Sequence, residues 1–175
     1  MSCILITGGA RAGKSSYAQK LAAEIGEKVL FVATAEAKDE DMRMRIEKHK
    51  KSRPSYWKTL EAPKDVANVI ESAGGGYSVV IIDCITMLVS NVMLGAENET
   101  SAESEILKEI DALINVMKTS PATFILVSNE VGLGIVPDNE LSRNYRDLLG
   151  RANQLIASYA DGVYLLVAGI PVKIK

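Results

Sequence analysis

The sequence predicts a three-layer α/β domain with a mainly parallel sheet. Three observations predict it. Short β-prone apolar runs alternate with helix-patterned segments along the chain. The run Val79-Val80-Ile81-Ile82 is apolar without alternation, as a strand covered on both faces requires. A glycine-rich turn joins the first apolar run to the first helical one.

The elements follow in order. Cys3 to Thr7 is a β-prone run that ends in Gly8-Gly9. A helix opens at about Lys14, with Tyr17, Leu21 and Ile25 on one stripe, and Lys28 to Ala33 is the second strand. Asp39 to Ser52 reads as a charged helix, acids early and bases late, in line with the helix dipole. Trp57 to Leu60 gives a short strand. Pro63 is placed to open a helix running to about Ala73, which Gly74-Gly75-Gly76 stops. Ser78 to Asp83 is the most strand-like run. Ile85 to Leu94 reads as helix, and Gly95 to Thr100 as a polar loop. Ile106, Ile110, Leu113, Ile114 and Met117 recur at helical spacing and read as core. Thr123 to Val127 is a strand. Leu141, Tyr145, Leu148, Leu149, Ala152, Ile156 and Tyr159 mark a long amphipathic helix. Val163 to Val167 is a late strand, and Ile170 to Lys175 adds an edge hairpin.

The bulk properties bound the function. The 175 residues suit one domain, residues 1–175, and no Pro/Gly linker or internal repeat divides them. With 20 Lys plus Arg against 22 Asp plus Glu, the net charge is −2, so no global field attracts nucleic acid or anionic lipid. Affinity for phosphate must come from local clusters. Cys3 and Cys84 form no metal or disulfide pattern, which fits a reducing, cytoplasmic compartment. The N-terminal apolar run is too short for a signal peptide or a membrane span.

Residues 8 to 15 read Gly8-Gly9-Ala10-Arg11-Ala12-Gly13-Lys14-Ser15, which fits G-x-x-x-x-G-K-[ST] throughout. Such a P-loop curls its backbone N–H groups onto phosphate oxygens, and the helix behind it presents its positive end. Lys14 is expected to reach the β- and γ-phosphates of a nucleoside triphosphate, and Ser15 to ligate Mg²⁺. Strand before and helix after are the context this chemistry needs, against a mere glycine-rich turn. Asp83 closes a buried strand and reads either as the second Mg²⁺ anchor or as an acid that caps the next helix.

His49 is the one histidine. Arg43, Arg45, Lys48, Lys50, Lys51 and Arg53 surround it, with Glu47 the sole acid among them. On a helix it shares a stripe with Met42, Ile46 and Arg53. It reads either as a partly buried surface histidine or as a nucleophile whose neutral imidazole attacks phosphorus, with the bases neutralising the triphosphate.

Several further blocks stand in order: Val32-Ala33-Thr34-Ala35, Arg45 to Pro54, Trp57 to Glu61, Asp83-Cys84-Ile85-Thr86, Asn91, Val127 to Pro137, then Arg143, Arg146, Asp147, Gly150, Asn153, Gln154, and Gly169 to Lys173. With the P-loop, they make the chain resemble the bifunctional adenosylcobinamide kinase / adenosylcobinamide-phosphate guanylyltransferases of cobalamin biosynthesis, over nearly its whole length. The resemblance implies a RecA-like P-loop fold and a homotrimer. It implies phosphorylation of adenosylcobinamide by ATP or GTP, then transfer of GMP from GTP to that phosphate with release of pyrophosphate. His49 would carry the GMP. The nucleotide site would take in the P-loop, Ala33, Thr34 and Ala35, Lys50, Lys51, Ser52 and Arg53, with Glu61 and Asp83. Departures are small: Ala12 stands where relatives often carry Ser, and Asp83 where Glu also occurs.

Other classes fit less well. A small-molecule kinase without guanylyl transfer would need the P-loop and Asp83 but not His49. A regulatory GTPase predicts D-x-x-G, whereas Asp83-Cys84-Ile85-Thr86 lacks the glycine, and N-K-x-D, where this chain has Ser128-Asn129-Glu130-Val131. A nucleic-acid motor predicts a basic–aromatic stripe, which is not seen. The stretch Asn129 to Pro137 reads either as a loop that Gly132 and Gly134 simply shape after the strand Thr123 to Val127, or, at the sheet edge where substrate should bind, as a contact for the corrinoid.

Overall fold

The computed structural model describes residues 2–37, 39–51 and 53–175; the side chains of Asp41 and Arg45 also lie outside the described set. Ser52, expected in the nucleotide site, and the Arg45 side chain, expected in the basic cluster, therefore lie outside the described residues.

The elements run β1 (Ser2–Gly8), α1 (Lys14–Ile25), β2 (Val29–Ala33), α2 (Glu40–Lys51), β3 (Lys58–Glu61), α3 (Val66–Ser72), β4 (Val79–Asp83), α4 (Ile85–Gly95), α5 (Glu99–Thr119), β5 (Thr123–Val127), α6 (Glu140–Tyr159), β6 (Gly162–Val167) and β7 (Ile170–Lys173). They form a seven-stranded sheet in the order β3-β2-β4-β5-β1-β6-β7. Pairing is parallel from β3 to β6, and only β7 is antiparallel. The expected three-layer α/β fold is what forms, and β5 separates the P-loop strand β1 from β4, as in RecA-like folds.

The apolar strands explain the layers. Successive side chains alternate between faces, so Val79 and Ile81 face one core and Val80 and Ile82 the other. The first core packs on α1 through Ala18 and Ala22, whose small side chains let the helix lie close to the sheet. The second is covered by α3, α4, α5 and α6, with Val66, Ile70, Leu88, Ile110, Leu113, Leu149 and Ile156 buried. None of the described residues of α2 is buried.

Helix starts differ from the sequence expectation where side-chain caps set them. Pro63 does not open α3. The helix starts at Val66, because Glu109 of α5 accepts the backbone N–H of Asp65 at 3.2 Å and of Val66 at 2.7 Å. Helix α5 starts at Glu99, inside the stretch expected as loop. There Asn98 accepts from the Ser101 N–H at 2.9 Å and Ser101 Oγ accepts from the Asn98 N–H at 3.1 Å, a reciprocal cap. Among the described residues, no helix is long and apolar enough to cross a membrane.

At the start of β1, Cys3 is buried (2 % exposed), and its backbone N–H donates to Asp161 Oδ2 at 2.7 Å. Burial, then the Asp161 charge, pushes its thiol up to about 12, with Lys175 opposing.

Two outcomes follow. Ile110 is fully buried between helices, and Ile110→Ala should cost about 2–5 kcal/mol in urea unfolding. The Cys3 thiol binds its proton more tightly folded than unfolded. Its stabilisation is complete below pH 9, where both states are protonated, and is lost as pH rises from 9 towards about 12. Unfolding free energies measured across this range should fall less steeply for Cys3→Ala, by on the order of 3 kcal/mol in total.

Candidate functional site

The parallel register brings the strand ends to one edge. Glu61 of β3 pairs with Ala33 of β2, Ala33 with Asp83 of β4, Asp83 with Val127 of β5, and Val127 with Ile6 of β1. The turns that follow these residues therefore emerge side by side at the carboxyl edge, where ligands bind in open α/β sheets.

The turn after β1 depends on two glycines. Gly8 has φ 145, and a Cβ there would lie 2.5 Å from the Leu166 carbonyl oxygen of β6. Gly13 has φ 91 and leads into α1. Both conformations favour glycine. The Gly169 N–H donates to the Ala12 oxygen at 3.1 Å, so the hairpin between β6 and β7 braces the turn. No side chain caps α1 and no acid stands in its first turn, which leaves its amino-terminal N–H groups to an anion. Gly9, Ala10 and Arg11 are exposed, while Ala12, Gly13 and Ser15 are half-buried.

Lys14 is only 8 % exposed. Its Nζ donates to the carbonyl oxygens of Gly8 at 3.0 Å and Gly9 at 2.7 Å. Burial lowers its pKa from the ordinary lysine value, opposed by the fields of Cys84 and Asp83. Asp83, at the tip of β4, is thus in electrostatic reach of the P-loop lysine although β5 separates their strands.

Arg53 lies flat on Phe31, its guanidinium carbon 3.6 Å from the ring centroid. Burial lowers its pKa, opposed by Asp83 and then Glu61. Its Nε and Nη1 are buried with no hydrogen-bond partner among the described residues. Two unpaired guanidinium donors beside two carboxylates are costly unless an acceptor such as a phosphate or carbonyl completes them. Glu61 is exposed and paired to Lys50 of α2 at 2.5 Å. Between these groups, the Asp83–Cys84 peptide is cis. Burial and then Asp83 push the Cys84 thiol up to about 11.

The structure thus brings Lys14, Asp83, Arg53, Glu61 and Lys50 together. Ala33 is buried, Ala35 half-buried, and Lys51 exposed. The stripe expected to carry His49 divides. Met42 and Ile46 are half-buried, but His49 is exposed on the last turn of α2 beside Lys48, Lys50 and Lys51. Arg53 has left the helix to reach Phe31. Lys50, next to His49 in sequence, ties that helix end to Glu61.

Sequence reasoning missed the platform under Arg53 and the polar supports of the loop after β5. There the Asn129 N–H donates to Thr86 Oγ1 at 2.7 Å, Asn153 Nδ2 donates to the Asn129 oxygen at 3.1 Å, and the Glu130 N–H donates to the Gly8 oxygen at 3.0 Å. Tyr145 donates its hydroxyl to the Thr86 oxygen at 3.2 Å. Farther on, Arg143 Nη1 donates to the oxygens of Pro137 at 3.1 Å and Asp138 at 2.6 Å. The loop is tied at both ends, and between them Leu133 (84 % exposed) and Ile135 (97 %) stand in solvent. The signal for these supports was a polar residue in an otherwise apolar helix, notably Thr86 in α4.

Comparison with known proteins identifies the family. The family described as "Cobinamide kinase / cobinamide phosphate guanyltransferase" matches residues 4–174. The chain is 42 % identical over 180 residues to the "Bifunctional adenosylcobalamin biosynthesis protein CobU" of Salmonella typhimurium, covering 98 % of this chain and 99 % of that one. It is 40 % identical over 180 residues to the protein of the same name from Escherichia coli, with the same coverage. To the "Bifunctional adenosylcobalamin biosynthesis protein CobP" of Pseudomonas aeruginosa it is 41 % identical over 171 residues, covering 98 % and 96 %. With near-complete coverage on both sides, the chain belongs to the cobinamide kinase / cobinamide phosphate guanyltransferase family.

Proposed function

We propose that this chain, as one domain over residues 1–175, phosphorylates the aminopropanol hydroxyl of adenosylcobinamide with ATP or GTP. It then transfers GMP from GTP to the product through a guanylyl group on His49. The observation that carries the reading is the convergence of Lys14, Asp83 and the unpaired Arg53 donors at one sheet edge, in a member of this family.

Each group has a role its chemistry supports. The amide groups of residues 8 to 15 and the positive end of α1 receive the phosphates. Lys14 exchanges the Gly8 and Gly9 oxygens for phosphate oxygens. Ser15 and Asp83 each offer one oxygen, which suits Mg²⁺, an ion that takes its remaining ligands from phosphate and water. Mg²⁺ there would neutralise charge on the phosphate oxygens. Arg53 supplies two donors to the nucleotide. Glu61 accepts from its ribose or base, and Lys50 and Lys51 add positive charge.

In the second reaction the neutral imidazole of His49 forms a bond to the α-phosphorus of GTP, and the bond to the leaving pyrophosphate breaks. A phosphate oxygen of adenosylcobinamide phosphate then attacks the same phosphorus, and the histidine leaves. The exposed loop around Leu133 and Ile135 is the proposed contact for the corrinoid, with Asn129 at its base. The family resemblance adds a homotrimer, and two free cysteines in or beside apolar runs fit a reducing, cytoplasmic compartment.

Incubation with GTP radioactive at the α-phosphate tests the reading. Wild type should take up an acid-labile, alkali-stable label and His49→Ala none. The mutant should keep γ-phosphate transfer to cobinamide within a few-fold, whereas Lys14→Ala should lose both reactions by about 10²-fold or more. A wild type that phosphorylates cobinamide but takes no label would be a kinase alone.

A further inference from the structure

Thr34 was expected to belong to the nucleotide segment, yet its side chain is wholly buried (0 % exposed). Its hydroxyl accepts from the Cys84 N–H at 2.7 Å and donates to the Cys84 oxygen at 2.6 Å. Its own N–H donates to the Asp83 oxygen at 3.2 Å. The Asp83 oxygen and the Cys84 N–H belong to one peptide group. Thr34 therefore grips both polar atoms of the peptide that leaves Asp83, and the next carbonyl as well. A hydroxyl that already gives its proton and accepts another has little left for a ligand.

Thr34 is held in turn. Asn91, buried in α4, donates Nδ2 to the Thr34 oxygen at 2.8 Å and to the Pro63 oxygen at 3.1 Å. Helix α4 begins directly after Cys84. The tip of β2, the tip of β4 and the helix that follows form a closed hydrogen-bonded ring, and Asp83 is the carboxylate at its mouth.

We infer that Thr34 is a positioning residue: it fixes the backbone on the carboxyl side of Asp83, and so aims that carboxylate at the metal, without touching the nucleotide through its side chain. The inference rests on the proposed role of Asp83 as metal anchor. Thr34→Val keeps the shape and removes the hydroxyl. Thr34→Ser keeps the hydroxyl.

The test is equilibrium binding of a β,γ-imido analogue of GTP by calorimetry, once with Mg²⁺ and once with EDTA. The ratio of the two dissociation constants measures how far metal and nucleotide bind together. Thr34→Val should reduce that ratio by about fivefold or more, with affinity in EDTA unchanged, and Thr34→Ser should restore it. A folded Thr34→Val that keeps the wild-type ratio overturns this inference alone. Equal loss of affinity in both buffers also overturns it, because that marks direct contact with the nucleotide. If Thr34→Val does not fold, Asn91→Ala releases the same ring from the other side and should lower the ratio; no change there counts against the clamp. A wild-type ratio near one removes the metal role of Asp83, and this inference with it.

Discussion

Everything at the carboxyl edge depends on the shared register of the parallel strands. A parallel ladder sends every strand in the same direction, so the turns that carry chemistry leave from one side. In this molecule the register places Glu61, Ala33, Asp83, Val127 and Ile6 in one row. A slip of one residue in β4 would turn Asp83 to the other face and bring a hydrophobic side chain to the row. The apolar strands prevent that slip, because both faces of β4 are buried against different cores. Packing in the interior and chemistry at the edge are set by the same hydrogen-bond ladder.

The site also shows how a chain of net charge −2 concentrates positive charge. Lys14 is kept in a buried position by two carbonyl oxygens, and Arg53 by an aromatic ring. Neither depends on a tight carboxylate partner, so both remain able to bind an anion. Asp83 opposes the effect of burial on both cations, and Glu61 opposes it on Arg53. An Arg stacked on a ring keeps its donor edge open. The arrangement costs stability in the unpaired Nε and Nη1 of Arg53, a cost that binding sites commonly carry.

Most of the fold could be read from the sequence because its signals are local. Strand runs such as Thr123–Val127 and the helical stripe from Ile106 to Met117 depend on residues a few positions apart. Apart from the local Asn98–Ser101 cap of α5, what could not be read depends on partners distant along the chain. Glu109 moves the start of α3 to Val66, and no local pattern announces a cap from 43 positions away. The P-loop was legible because one contiguous segment contains its whole chemistry. The seat of Arg53 on Phe31 was not, since it needs the fold to bring residue 53 over β2. The setting of His49 was left open by the sequence for a related reason. Periodicity gave it a stripe with Met42 and Ile46, but that stripe is only half-buried and His49 at its end is exposed.

The retracted position of Lys14 has a consequence for how the protein meets small anions. Two of the three ammonium protons already go to the Gly8 and Gly9 oxygens, and these bonds hold the lysine across its own turn. A single inorganic phosphate offers Lys14 little beyond an exchange of one set of oxygens for another. A longer phosphate chain would add hydrogen bonds from the N–H groups of the turn and of the start of α1, and only that sum would tip the exchange. On the proposed reading, the loop thereby favours a long phosphate chain over orthophosphate, and an excess of the short anion would still leave the site open to the nucleotide.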